Sequence, residues 1–365
     1  MKKTCISALM SIMLVGFTLD LSAQKLTDRA LIWEKNLVDL GTVLEEYGEV
    51  YAEFFVVNKG LLPVVMQEVI TDCGCTTAHF TKDTLHQDQI GSVVISYDPI
   101  NRGGKFSKMV VVKTNLDLGG DTIFVQGNNV PLPEDFYAHY AYKVGDMGFK
   151  FSSINMGEAF TGLKRTKHVD FYNFKDLPIT IDEFKTNLPP HIEVNMVPAL
   201  VPAKSRGILE ITYTAEGVDF LGFQDEIISF HLESEKEEEV NLRLLTTVHE
   251  YFDPITASEA ANLPKLAISE VNLDLKEIKS GSTVHRSITL SNMGSQPVNI
   301  RKVIANCECL TLELAKNDLM PGDKTELKFS FDTHSRKGID HKHITVFSND
   351  PLNPTRTIVI KSTIK

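Results

Sequence analysis

Shifted by 234 residues, the sequence falls onto itself: Phe54 and Val56 land on Ile288 and Leu290, Asn58 on Asn292, Gly60 on Gly294, Pro63 on Pro297, and Cys73 and Cys75 on Cys307 and Cys309. The same register carries Ile95 onto Phe329, Tyr97 onto Phe331, Asp98 onto Asp332, Arg102 onto Arg336, Gly104 onto Gly338 and Asn115 onto Asn349. Chance does not keep so many unlike residue types in one frame. A fainter copy lies at a shift of 115, where Val169, Phe171, Asn173 and Pro178 answer Phe54, Val56, Asn58 and Pro63. Repeats of this length are whole domains rather than turns of a solenoid. The reading is three modules, 30–131, 137–250 and 265–365.

Each module alternates like half-buried strands. "RSITLSN" turns Ile288 and Leu290 one way and Thr289 and Ser291 the other, and "GSVVISYD" does the same with Val93, Ile95 and Tyr97. Turn chemistry follows: "NKGLLP", "NFKDLP" and "NMGSQP" after one strand, "NRGG" and "SRKG" after another. In the first of these turns Asn58, Gly60 and Pro63, repeated as Asn292, Gly294 and Pro297, are the structural residues, the asparagines suited to local backbone bonds and to positive φ. Long amphipathic helical periods are missing. About seven short strands per module predict an all-β chain of three tandem immunoglobulin-like antiparallel sandwiches. Between them "NNVPLPEDF" and "YFDPITASEAANLP" read as connectors that limit bending without forbidding it.

The "DLGTV" opening, "CGCTT", "YDP", "RGGKFSK" and the "TN" before the last strand together resemble an exported bacterial domain family of unknown function marked by a Cys-Gly-Cys-Thr motif. That family is similar to ASH and hydin-type domains and, more distantly, to PapD-like immunoglobulin folds. The resemblance covers the first module well and the last in frame, with Glu308 and Leu310 replacing the glycine and threonine; the middle module shares only the strand pattern. It implies a fold and a location, and no activity.

Residues 1–23 have the layout of a secretory signal peptide: Lys2 and Lys3, an apolar run from Ile6 to Phe17, then Ser22 and Ala23 before the expected cleavage. That run is shorter than the roughly 20 residues of a membrane span, and no later segment is apolar enough. The expected product is periplasmic or extracellular, possessing no transmembrane segment and open to association with the cell envelope. The formal net charge of −11 becomes −12 once Lys2, Lys3 and Asp20 leave, which excludes nucleic acid as a partner. Oligomeric state is not readable.

Removing Cys5 with the signal leaves four cysteines in two Cys-x-Cys pairs, in a compartment where disulfides persist. Residues i and i+2 on an extended strand sit near the upper limit of bridging distance, so a bridge requires a bend, which Gly74 can supply in the first pair. Local disulfides or packed thiols at Cys73, Cys75, Cys307 and Cys309 lead. A copper(I) site with His79, and redox exchange, stay open behind them; the last module carries Glu313 where the first has His79. The middle module has Leu188 and Pro190 at these positions, and separate cores argue against a bridge between modules.

Weaker candidates read as ordinary structure. His341 and His343 share a solvated strand face, Asn115, Asp117 and Asp121 belong to a hairpin turn rather than a calcium loop, and the run Glu233 to Glu239 is a charged hairpin tip. No nucleophile motif or phosphate-cradling glycine loop appears, so no catalytic residue, no cofactor site and no metal set is assigned. The expected function is a noncatalytic envelope module that binds or spaces other exported proteins; the alternative is a thiol-redox or copper-handling protein.

Overall fold

The computed structural model describes residues 30–233, 238–256 and 258–365. The segment expected to be a signal peptide and the centre of the Glu233–Glu239 charge run lie outside them. Where the sequence alternates, strands form: Val50–Asn58 buries Ala52, Phe54, Val56 and Asn58, and Thr283–Asn292 buries Ile288, Leu290 and Asn292. The fold is all-β and immunoglobulin-like, with two sheets to each sandwich.

In the first sandwich one sheet runs Leu31–Trp33, Val50–Asn58, Ile90–Tyr97, Thr76–Phe80, and the other Leu37–Leu44, Asp121–Val130, Gly104–Thr114, Met66–Thr71. The last repeats this order with Leu266–Ile268, Thr283–Asn292, Lys324–Asp332, Leu310–Leu314 facing Asn272–Ile278, Thr355–Ile364, Gly338–Ser348, Val298–Ala305, and adds Asp318–Leu319 at the edge. The middle sandwich redistributes its strands, five to three. Phe54, Val93, Ile95, Val110 and Ile123 form the first core, and Ile288, Leu327, Phe329, Ile344 and Ile358 the last. Each such side chain contributes about 1.5–3 kcal/mol relative to exposure.

The sheets are not wholly antiparallel. In each sandwich the opening strand breaks in two and changes sheet. Its first part is antiparallel, as in Leu266↔Asn292, but Asn272–Ile278 runs parallel to Thr355–Ile364 and Ser153–Phe160 parallel to Glu238–His249. The chain keeps its direction as it crosses, so it meets a last strand running the same way. Register shifts interrupt both parallel pairs beside residues with positive φ, Gly157 at +79° and Lys276 at +60°. Asn155 Oδ1 accepts from the Gly157 amide at 2.8 Å and Asp274 Oδ1 from the Lys276 amide at 2.9 Å. These are bulges held by an Asx side chain.

Two compact units divide the chain. The first comprises residues up to Leu40, Glu49–Asp98 and Phe106–Gly127; the second comprises Gly41–Gly48, Pro99–Lys105 and Asn128–Lys365. Within the second unit the middle and last sandwiches keep distinct core clusters but touch each other. Ile304 and Phe347 of the last pack against the middle core, Arg301 pairs with Glu250 through two bonds of 3.0 and 3.1 Å, and Lys302 Nζ donates to the carbonyls of Asp219 and Leu221. The connector after Val130 is likewise structured. It holds a one-turn helix, Phe136–His139, capped by Asp135, and Phe136 packs with Tyr140, Tyr172 and Phe174. Among the described residues no helix is long and apolar enough to cross a membrane.

Candidate functional site

The two Cys-x-Cys pairs occupy equivalent corners, where the chain leaves one sheet (Met66–Thr71, Val298–Ala305) for the other (Thr76–Phe80, Leu310–Leu314). The sulfurs stand at bonding distance within each pair, with Cα atoms 5.3 and 5.1 Å apart. A tight turn draws the ends together: the Thr76 amide donates to the Cys73 carbonyl at 3.3 Å and the Leu310 amide to the Cys307 carbonyl at 3.1 Å. Gly74 is not what permits the bend. It is absent from the positive-φ glycines, a Cβ on it meets nothing, and Glu308 occupies the same place in the last module.

The corners differ chemically. Cys75 is buried and both sulfurs of the first pair lie near the Thr76 hydroxyl, Cys73 at 3.4 Å and Cys75 at 3.7 Å. In the last module Leu310 replaces that threonine. There two N–H donors converge on Cys307 Sγ at 3.1 Å each, the Cys309 backbone amide and Nη2 of Arg336. Arg336 is held in turn by Asp340, 3.3 Å from Nη1, and by Ser280 Oγ, which donates to its carbonyl at 2.8 Å. An open hollow of about 490 Å³ beside this corner is lined by Ile304, Asn306, Cys307, Glu308, Leu310 and Leu312.

The asparagines make a nearly identical clamp in all three sandwiches. Asn58 Nδ2 donates to the carbonyls of Leu62 at 2.9 Å and Leu85 at 2.8 Å while Oδ1 accepts from the Gly60 amide at 2.9 Å. Asn292 repeats this with Gln296, Leu319 and Gly294, and Asn173 with Leu177, Pro202 and Lys175. All three are buried strand residues, not positive-φ turn residues. Pro63 and Pro297 offer their carbonyls to Asn115 and Asn349, each at 3.1 Å. Asp117 accepts from the Gly119 amide and Asp121 from Trp33 Nε1, so the Asn115–Asp121 stretch is a hairpin turn with its side chains engaged. His79, His341 and His343 are exposed, and no group of three or more His, Cys, Asp or Glu suited to a metal occurs among the described residues.

Sequence reasoning missed a buried cluster in the second unit. Arg206, with its side chain wholly withdrawn from solvent, grips both carboxylate oxygens of Glu46 and donates to the carbonyls of Val130 and Pro131. Tyr140 OH, near Nη1, donates to Asp170 at 2.7 Å, and Tyr47 OH donates to the Arg206 carbonyl at 2.6 Å. Burial and the neighbouring Glu46 carboxylate push the Tyr47 hydroxyl up to about 12. Burial alone would pull Arg206 down, yet the hydrogen bonds it donates to Glu46 and Tyr140 hold it above its ordinary value. The residues are locked, and no signal in the sequence pairs positions 160 apart.

The Thr76–Phe80 and Leu310–Leu314 strands each end their sheet, are five residues long and share one burial pattern. Asp332 N donates to the Cys309 carbonyl and Ala315 N to Glu326, bracketing the second strand; Asp98 to Cys75 and Thr81 to Ser92 bracket the first. Antiparallel bonding alternates, so the amides of Leu312 and Ala78 face away from the neighbouring strand.

Residues 31–129 and 266–364 each match one family model, described as a protein of unknown function (DUF1573), and together they make up more than half the chain. The chain belongs to the DUF1573 family. Each DUF1573 match contains one asparagine clamp, one Cys-x-Cys corner and one such edge strand, while the middle sandwich, outside both, keeps only the clamp. Among solved structures, the DUF1573 chain is similar to a Porphyromonas gingivalis W83 protein of unknown function at 17% identity and a TM-score of 0.44, covering 60% of this chain and 100% of that one. It is also similar to an ASH/PapD-like domain of human CEP192, at 12% identity and a TM-score of 0.24, covering 32% and 93% of the two chains. A titin I67–I69 fragment aligns at 10% identity and a TM-score of 0.20, covering 92% and 98%. No match is found among curated proteins.

Proposed function

We propose that this DUF1573 protein is an exported, noncatalytic module of the cell envelope that binds other exported proteins by accepting an extended segment beside an edge strand. The observation that carries the reading is the recurrence of the same edge in both family-matched sandwiches, with Leu312 and Ala78 presenting unpaired-side amides in register. Main-chain bonds along such an edge supply affinity, and pockets for alternate side chains supply selectivity. Next to Leu310–Leu314 a hollow of about 430 Å³ is lined by His285, Arg286, Thr311, Glu313, Lys328 and Phe329, a mixed-charge surface suited to a peptide. The short length and the exposed Glu313 limit uncontrolled pairing.

The test places a photo-crosslinking residue at Thr311 or Glu313 in the exported protein and introduces Leu312→Pro, which removes the outward amide without touching a ladder bond. Crosslinks to a defined protein that disappear in a folded Leu312→Pro variant support the reading. Unchanged crosslinks in that variant defeat edge pairing. Repeated turnover of an added substrate, lost on a single side-chain change elsewhere, defeats the noncatalytic part.

A further inference from the structure

We propose that the Cys307–Cys309 bridge is a thiol–disulfide exchange site, with Cys307 as the leaving sulfur and cysteine thiols as its substrate class. Arg336 and the Cys309 amide are its activating donors. The inference goes beyond partner binding and rests on a different corner of the fold. A leaving sulfur departs faster the better its thiolate is stabilised, and a guanidinium or backbone N–H is what stabilises one. Cys307 Sγ receives both at 3.1 Å. Among the described residues the first pair's sulfurs meet the Thr76 hydroxyl, at 3.4 and 3.7 Å, and one of the two sulfurs is buried. A bridge across one residue also closes too small a loop for chain entropy to account for it. The exposed Glu308 between the cysteines opposes a thiolate, and Asp340 shares the Arg336 guanidinium; the two convergent donors outweigh them because they touch the sulfur itself.

The step balances without a metal or cofactor. A substrate thiolate attacks Cys309 Sγ, the bond between the two cysteines breaks, and its electron pair departs on Cys307 as a thiolate held by Arg336 and the Cys309 amide. The product is a mixed disulfide on Cys309. A second substrate thiolate attacks the substrate sulfur of that mixed disulfide and releases Cys309 as a thiolate, and the two cysteine sulfurs take up protons according to pH. Two substrate thiols become one disulfide, and the pair gains two electrons.

The experiment treats the purified full chain with reduced and oxidised glutathione, quenches with N-ethylmaleimide and maps the adducts by mass spectrometry. Expected are glutathione on Cys309 with maleimide on Cys307, and opening of this bridge at least about tenfold faster than Cys73–Cys75, the scale set by a stabilised leaving thiolate. Arg336→Gln should slow opening about tenfold, corresponding to loss of one charge-assisted hydrogen bond, and Arg336→Lys should restore most of the rate. Glutathione on Cys307, attacked from the neighbouring hollow, overturns the assignment, as do equal rates for the two bridges or an unchanged rate in Arg336→Gln. Should Arg336→Gln fail to fold, the wild-type adduct map and the Arg336→Lys rate decide the matter.

Discussion

Asn292 Nδ2 donates to the carbonyl of Leu319, 27 residues away, at 2.9 Å, and so ties the end of one strand to the approach of another. With Gln296 and Gly294 it completes three bonds from one buried amide. Asn292→Ala leaves two carbonyls and an amide unmatched, and should cost about 2–4 kcal/mol by the usual penalty for unsatisfied buried groups. Denaturant unfolding with the slope compared to wild type measures it; a loss under about 0.5 kcal/mol, the level of an ordinary surface change, would show the clamp to be decorative.

Gly294→Ala should destabilise more than Gly60→Ala. A Cβ on Gly294 would lie 2.2 Å from the Leu263 carbonyl and 2.5 Å from the Lys265 amide, so backbone has to move. On Gly60 it would meet Ala30 Cβ at 3.0 Å, which small shifts relieve. Thermal melting of both variants gives the order directly.

Gly74→Ala should be neutral or stabilise by up to about 1 kcal/mol, because the turn already accepts Glu308 in the last module and a Cβ meets nothing there. The bridge should still form. Free thiols appearing at Cys73 and Cys75 in this variant would restore glycine as the cause of the bend.

Arg206→Leu should cost about 3–5 kcal/mol, the range for breaking a buried pair, and exceed Glu46→Gln, whose side chain retains 29% exposure. Differential scanning calorimetry of the two variants compares them. Equal costs would mean that Glu46, rather than the carbonyls of Val130 and Pro131, accounts for what Arg206 contributes.

Glu45 provides a pH test. Its carboxylate accepts from the Asn101 amide at 2.6 Å and the Leu132 amide at 2.8 Å, which lowers its pKa below the usual carboxylate value. A folded pKa below the unfolded one contributes stability that is full above the unfolded value and is lost as pH falls through the folded one. Protection of the Asn101 and Leu132 amides from hydrogen exchange should therefore weaken on acidification in the wild type, and Glu45→Gln should flatten that dependence. Parallel profiles would remove Glu45 as the cause.

The repeat made much of this legible. Apolar alternation places Phe54, Ile95, Ile288 and Phe329 in cores because a strand has a fixed period of two. Asn58 and Asn292 stand out because they recur, although their bonds to Leu85 and Leu319 are set by tertiary approach. Alternation says nothing about the direction of a neighbouring strand, so the parallel pairs are invisible, and the spacings Asn155-Met156-Gly157 and Asp274-Leu275-Lys276 are the faint signal of their bulges. Arg206 and Arg336 look like surface cations in the sequence. Their roles depend on a carboxylate 160 residues away and a sulfur 29 residues away.

The parallel pairing of opening and closing strands sets how a sandwich bears mechanical load. In the last one Asn272 lies opposite Val359 and Ile278 opposite Ile364, so tension applied at its two ends pulls these strands past each other along their length. The bonds between them are loaded together in shear rather than peeled one at a time, and the middle sandwich, with Ser153 opposite Arg243 and Phe160 opposite His249, has the same lap joint.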